Sequence, residues 1–278
     1  MPELPEVEAW RRALDEWLVG RQLAGVVLHD PAAVRARLST RPADGWDEAR
    51  GWAQRLAGRR VLGTSRAGKR LGVHLEGQWV LVHLGMTGRF VRGRVQPKAA
   101  RVELRVVGGE GVDEEATVWF CDVRRFGCWV PLADGSALAD DLGPDALLAP
   151  LDGPALGRCL RGRRAVKVAL LDQARLAGLG NIHAAEALWR AAIAPTTACA
   201  DLTEAQLGRL AVAIHQQLHE AVEQIGGVDD FVYVTDGGDN PFVVYGREGE
   251  PCARCGGPVQ RFVQSGRATF WCAGCQHA

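Results

Sequence analysis

No stretch of this 278-residue sequence approaches the roughly 20 consecutive apolar residues that span a bilayer. Its opening, Pro2-Glu-Leu-Pro-Glu-Val-Glu8, is acidic where a secretory signal would be basic, and no apolar core segment follows. There is no net charge and no internal repeat. These absences exclude a membrane-spanning apolar helix, argue against export, and remove a uniformly basic chain or a solenoid from consideration. The expected location is the cytoplasm, where thiols stay reduced. The eight cysteines therefore read as metal ligands or small buried residues before disulfides.

Charge is present but segregated. Arg50, Arg55, Arg59, Arg60, Arg66, Lys69 and Arg70 follow one another with no acid between them. Arg89, Arg92, Arg94, Lys98 and Arg101 form a second basic stretch, and Arg158, Arg161, Arg163, Arg164 and Lys167 a third. Acids gather at 113–115, 140–145 and 229–239. Such separation can build a basic groove on a neutral protein.

Apolar spacing predicts a first helix over 5–18, with Pro5 in its first turn and Gly20 at its end. Seven short β-like runs follow, 23–28, 61–64, 71–75, 79–84, 102–107, 117–121 and 128–132, which suggests a sandwich or barrel closing near Leu132. Residues 133–152, rich in Gly, Pro and Asp, read as a linker. Helical patterns then cover 154–160, 165–174, 182–191 and 203–225, the last with N-cap chemistry around Thr203 and a Gly226-Gly227 stop. The expected fold class is α+β and multidomain. Its parts are an N-terminal β-sandwich (1–132), a linker (133–152), a helical domain (153–240) and a terminal finger (241–278).

Cys252-x2-Cys255 and Cys272-x2-Cys275, sixteen residues apart, have the spacing of two knuckles around one tetrahedral zinc. The intervening residues alternate as a hairpin turned at Ser265-Gly266. With no open coordination position the zinc is structural, supplying folding energy to a short segment. Cys121, Cys128, Cys159 and Cys199 lack ligand spacing and read as small core residues.

Three weaker signals carry the chemistry. In Gly178-Leu-Gly180-Asn181-Ile-His183, glycines open a helix, so unpaired N–H groups at its positive end can bind phosphate, with Asn181 capping the helix or donating its amide. Alone, such a turn is a common connector. Asp122-Val-Arg124-Arg125-Phe126-Gly127 sets two cations beside an apolar wedge, as needed to fill the gap left by an extruded base, and Met86 sits on a similar turn. Removal of Met1 would leave Pro2 with a secondary amine that is partly neutral at pH 7. Its attack on a sugar C1′ gives an iminium that acidifies C2′ and favours loss of the 3′ phosphate. Glu3 is then the adjacent candidate general acid, pulled one way by burial or by Glu6 and the other way by the helix N-terminus.

These features, in this order, resemble the formamidopyrimidine-DNA glycosylase and endonuclease VIII family over nearly the whole chain: the opening Met1–Glu8, Gly178–Ala187 as a helix–two-turns–helix motif, and Val244–Cys252 leading into a zinc ribbon. The resemblance implies Pro2 as Schiff-base nucleophile and Glu3 as proton donor. It implies that Lys69, one of three lysines, assists elimination, and that Asn181 and Arg267 grip phosphates, with Arg267 counted in the catalytic set. Met86, Arg124 and Phe126 would fill the gap, Arg124 reading the widowed cytosine, and Arg125 would contact a phosphate. The implied activity is removal of oxidised purines (8-oxoguanine, formamidopyrimidines) with β,δ-elimination, on double-stranded DNA in a basic cleft. The protein would be a monomer with one structural Zn2+, at the bacterial nucleoid. Three departures bear on substrate: the short 228–240 segment lacks the expected Gly-Tyr-Phe element, His183 replaces a common tyrosine, and Ala99 replaces a DNA-contacting histidine. Oxidised pyrimidines, or non-catalytic binding of damaged DNA, remain as alternatives.

Overall fold

The computed structural model describes residues 2–38, 46–109, 115–149, 151–225 and 240–277. The Gly226-Gly227 stop, the 228–240 segment apart from Asn240, the acids at 229–239 and the processing of Met1 lie outside the described residues. Contacts divide the chain into two compact units, Met1–Pro2 with Glu6–Asp140, and Glu3–Pro5 with Asp141–Ala278.

The first unit holds two four-stranded antiparallel sheets. One runs β1 (Gln22–Leu28), β6 (Ala100–Val107), β7 (Ala116–Cys121), β5 (Arg89–Arg92); the other runs β2 (Val61–Ala67), β3 (Arg70–Leu75), β4 (Gln78–His83), β8 (Cys128–Leu132). The helices are α1 (Leu4–Leu18), one residue from its expected start, and α2 (Trp46–Leu56). Phe90 and Phe120 of the first sheet meet Trp129 of the second at 6.3 and 5.9 Å between ring centroids. Trp10 of α1 extends the stack to Phe90 at 5.6 Å and Trp52 of α2 to Trp129 at 6.3 Å. Edge-to-face aromatic packing of this kind ties both sheets and both helices to one core. Neither α2 nor β5 is marked by the sequence pattern. Strand β5 is four residues with arginine at both ends and carries too little alternation to register. Helix α2 buries Ala49, Trp52, Ala53 and Leu56, a narrow stripe within a basic run.

In the second unit, α3 (Gly153–Cys159), α4 (Val166–Leu170), α5 (Asn181–Arg190) and α6 (Glu204–Gln224) pack around Leu156, Leu170, Leu188, Leu210, Ile214 and Leu218. Leu4, fully buried, belongs to this core. Thr203 and Gln206 close a capping box on α6, as the N-cap pattern suggested. Helix α4 is shorter than the expected 165–174 because Asp172 turns the chain: its carboxylate accepts from Ala174 N at 3.2 Å and from Arg164 at 2.9 Å. The hairpin β9 (Gln260–Gln264) and β10 (Arg267–Trp271) turns at Ser265 and Gly266, both at positive φ. Within 133–152, Leu138 packs with Leu81, Cys128 and Val130, and Ala146 with the helical core. No described helix is long and apolar enough to cross a membrane.

Candidate functional site

The start of α5 receives a carboxylate, and that carboxylate is the protein's own. Glu3, 2% exposed, accepts from Gly180 N at 2.9 Å, Ile182 N at 2.9 Å and His183 N at 3.3 Å. Leu4 N donates to Gly178 O at 3.3 Å. The glycines make room for this strap: a Cβ on Gly180 would collide with the Glu3 carboxylate, and one on Gly178 with the Leu4 side chain. The glycine turn predicts a phosphate on these N–H groups. The helix end is indeed an anion site, but Glu3 fills it. Nor does Asn181 cap the helix. Gly180 holds the cap position with no side-chain bond, and Asn181 is the first helical residue.

The Asn181 side chain is instead held by a residue that sequence reasoning passed over. Lys167, 1% exposed on α4, donates to Asn181 Oδ1 at 2.7 Å, Thr269 Oγ1 at 2.8 Å and Ala268 O at 3.3 Å. Three acceptors match the three hydrogens of an ammonium, while burial, then the nearby Arg267, push the pKa down to about 8 against the opposing pull of Glu3. Asn181 Nδ2 in turn donates to Ala268 O at 2.9 Å. Lys167, Asn181 and the start of β10, where exposed Arg267 stands, are thereby one cluster. The available signal was a lone lysine inside Ala165-Val-Lys-Val-Ala-Leu-Leu171, in a chain with three. Glu186, further along α5, accepts from Val243, Val244 and Tyr245 N, each at 2.9 Å. One helix thus binds the N-terminal strap at its start and the 243–245 segment on its side.

In the first unit the 122–127 turn lies between β7 and β8, as expected, and it presents Phe126 half exposed with the Arg124 guanidinium 5.0 Å over its ring. Asp122 rivets the turn. It accepts from Gly127 N at 2.6 Å, Arg124 N at 3.2 Å and the Thr87 hydroxyl. Gly85, at φ +63°, lies so close to Gly127 that a Cβ would overlap the backbone. Both chain neighbours of Met86 meet this turn, Gly85 at Phe126 and Gly127 and Thr87 at Asp122 and Arg124 N. Arg125 points elsewhere: its guanidinium pairs with Asp30 at 2.8 and 3.1 Å, beside buried Arg101. Those two arginines hold the Asp30 carboxyl below its ordinary range against the burial that raises it.

Lys69 occupies the two-residue turn between β2 and β3, preceded by Gly68 at φ +55°. Arg66 donates to Gly68 O at 2.9 Å and to Glu8 of α1 at 3.2 Å, which fixes the turn to that helix.

The four Sγ atoms of Cys252, Cys255, Cys272 and Cys275 lie within 4.8 Å of one another, with 3.9 Å between Cys252 and Cys275 and 3.5 Å between Cys255 and Cys272. Tetrahedral zinc with Zn–S near 2.3 Å sets sulfurs about 3.8 Å apart, so the donor set and its size fit one zinc ion. Trp189 Nε1 donates to Cys252 Sγ at 3.4 Å, the outer-shell contact that steadies a ligating thiolate. Cys121, Cys128 and Cys199 are buried, and burial pushes their thiols up, as befits inert core residues; partly buried Cys159 shifts the same way. Of the departures, His183 is 2% exposed, with Nδ1 3.2 Å from Gln217 Nε2 and its ring edge-on to Phe242 at 6.2 Å. Ala99 adopts φ +61°, and its carbonyl accepts from Asp122 N.

A β-sandwich, a helical unit that seats the N-terminal strap and a four-cysteine hairpin together define a zinc-ribbon protein of the helix–two-turns–helix class. Residues 1–129 match the formamidopyrimidine-DNA glycosylase N-terminal domain, 142–231 its H2TH domain, and 249–278 the zinc finger found in FPG and IleRS. The chain belongs to the formamidopyrimidine-DNA glycosylase family. It is 40% identical to the formamidopyrimidine-DNA glycosylase of Cupriavidus pinatubonensis over 100% of both chains. It is 37% identical to that of Mycolicibacterium paratuberculosis over 99% of this chain and 98% of the relative. Among solved structures it matches Lactococcus lactis Fpg (MutM) bound to DNA containing N7-benzyl-Fapy-dG, at TM-score 0.83 and 28% identity over 100% of both chains. It also matches MutM bound to carbocyclic 8-oxo-G DNA, at TM-score 0.83 and 27% identity.

Proposed function

We propose that this chain removes oxidised purines from double-stranded DNA and then cleaves the abasic site, with the Pro2 amine as nucleophile once Met1 is removed. The activity is base-excision repair by a DNA glycosylase with abasic-site lyase function, and the one zinc ion is structural, shaping the hairpin that carries Arg267. The observation that carries the reading is the seating of Glu3 on α5, which fixes the residue next to Pro2 through three backbone bonds. A fixed amine is what attack on a sugar C1′ requires. The base departs with a proton from an acid as the Pro2 N–C1′ bond forms, and cleavage of C1′–O4′ opens the sugar to the iminium. The iminium acidifies C2′, so that a general base removes its proton and the electron pair expels the phosphate. The 3′ phosphate leaves first and the 5′ phosphate second.

In this reading Glu3 serves as proton donor, and Lys69 and Arg267 assist elimination at the flanking phosphates. Asn181 grips a phosphate, with Lys167 as its positioning residue. Met86, Arg124 and Phe126 fill the space left by the extruded nucleotide, and Arg124 reads the opposite cytosine. Arg125, paired with Asp30 through Nε and Nη2 and with its side chain largely exposed, contacts a phosphate with the rest of its guanidinium. The enzyme acts as a monomer in the bacterial cytoplasm, on nucleoid DNA. Excision kinetics on duplexes carrying 8-oxoguanine, a formamidopyrimidine, an oxidised pyrimidine or a plain abasic site test it. Preference for the two purine lesions opposite cytosine is expected, and preference for the pyrimidine lesion would replace this substrate assignment.

A further inference from the structure

We propose that His215 and His219 on α6 form a second metal site, exposed to solvent and separate from the four cysteines, that takes one borderline divalent transition ion such as Ni2+, Zn2+ or Cu2+. The two residues are one helical turn apart, both exposed, with ring centroids 4.1 Å apart and planes 18° from parallel. Two imidazoles at i and i+4 on one helix face are a recurrent bidentate donor set for zinc-like ions. Ligand nitrogens about 2.1 Å from a shared ion stand roughly 3.0–3.4 Å from each other, and the two exposed side chains turn out of their stack to converge their in-plane lone pairs on it.

The rest of the molecule sharpens the choice. The chain has seven histidines. His29 is paired with Glu103, His74 is stacked on Trp79, His83 accepts from Gly85 N, and His183 is bound to Gln217. His277 is exposed with no second imidazole stacked on it among the described residues. His215 and His219 alone among the described histidines stack on each other. Their helix is already rigid, started by the Thr203–Gln206 capping box and anchored by buried Leu210, Ile214, Leu218 and Val222. Binding therefore need not order the backbone first, which removes a main entropic cost. Arg190, at the end of α5, is paired with Glu220 of this helix at 3.0 and 2.5 Å. Glu223, exposed and a further turn beyond His219, adds negative charge to the same face.

The spacing His-x3-His is that of helical metallohydrolase sites, but Gln216 stands where their catalytic glutamate would be. The site therefore binds an ion without hydrolytic chemistry, and water fills its remaining positions. Chelation across one turn links 215 to 219 and stabilises the C-terminal half of α6.

The test uses the whole protein with its cysteine-bound zinc in place. Ni2+ is titrated by calorimetry, and zinc content is measured before and after. One Ni2+ per chain is expected beyond the zinc. Its affinity should fall roughly tenfold or more in His215→Ala and in His219→Ala, tenfold being what 1.4 kcal/mol represents, and should be unchanged in Gln216→Ala. Circular dichroism checks the helix, and His219→Gln replaces any alanine variant that loses it. A Ni2+-dependent rise in Tm should disappear in the double histidine variant. Wild-type Ni2+ binding by the double variant, or uptake matched by equal zinc loss, overturns the proposal.

Discussion

The two groups of residues assigned to the chemistry are held in opposite ways. At the start of α5, Glu3, Lys167 and Asn181 are buried or half-buried, and their polar atoms are engaged by backbone and side-chain partners. At the 122–127 turn the backbone is riveted by Asp122, while Phe126 and the Arg124 guanidinium stand out in solvent. The first group is pre-organised and costs stability to disturb. The second offers spare apolar and cationic surface whose partner must come from outside. Positioning of a nucleophile and filling of a gap in DNA require these different mechanical states.

Four changes break or sharpen that contrast. Cys272→Ser should have the largest effect, abolishing zinc uptake and unfolding the hairpin, because a small zinc ribbon draws roughly 10 kcal/mol or more from its ion. It removes the Ala268 and Thr269 acceptors from Lys167 but leaves the 122–127 turn intact, so binding to abasic DNA falls while near-UV signals of the sandwich tryptophans persist. Gly180→Ala comes next. Its backbone, at φ −118°, suits any residue, so the effect is steric displacement of Glu3 alone. Urea unfolding should show a loss of about 3 kcal/mol from stranded N–H groups, and borohydride trapping on abasic DNA should fall about 100-fold. Wild-type behaviour would remove the strap from the account.

Phe126→Ala should leave stability within about 0.5 kcal/mol, as for exposed positions generally. Excision from duplex DNA should nevertheless slow by roughly 10-fold or more, since extrusion costs a few kcal/mol that the wedge offsets. Trapping on single-stranded abasic DNA, which needs no wedge, should be spared. The smallest effect concerns pH. Lys167 titrates near 8 when folded and near 10.5 as a free side chain. Between those values the unfolded chain binds more protons, so stability attributable to Lys167 rises with pH across that window. Unfolding midpoints of the wild type relative to Lys167→Met should increase by an amount worth about 1 kcal/mol per pH unit from pH 8 to 10.5. A flat difference would mean that the three acceptors keep the ammonium charged throughout.

What could be read in the sequence follows the range of the forces involved. The zinc cysteines, the α6 capping box and the Ser265-Gly266 hairpin are local, set by residues a few positions apart, and each is found where its spacing put it. The pairing of Glu3 with Gly180 spans 177 positions and that of Lys167 with Thr269 spans 102. Neither leaves a periodic trace. The glycines before α5 could be seen to leave N–H groups open, but not that the N-terminal strap would take them. Arg125 was placed correctly on its turn, yet its commitment to Asp30, 95 positions away, was invisible for the same reason.

The central claim is that the attacking amine belongs to Pro2. The internal amines to set against it are Lys69 on its turn and Lys167, whose pKa burial lowers to about 8. Borohydride reduction of the enzyme on abasic DNA, followed by proteolysis and mass spectrometry of the DNA-bearing peptide, decides between them. The adduct is expected on the N-terminal peptide, at Pro2, and to persist in Lys167→Met. An adduct mapped to the Lys167 or Lys69 peptide, with the N-terminal peptide unmodified, would contradict the account.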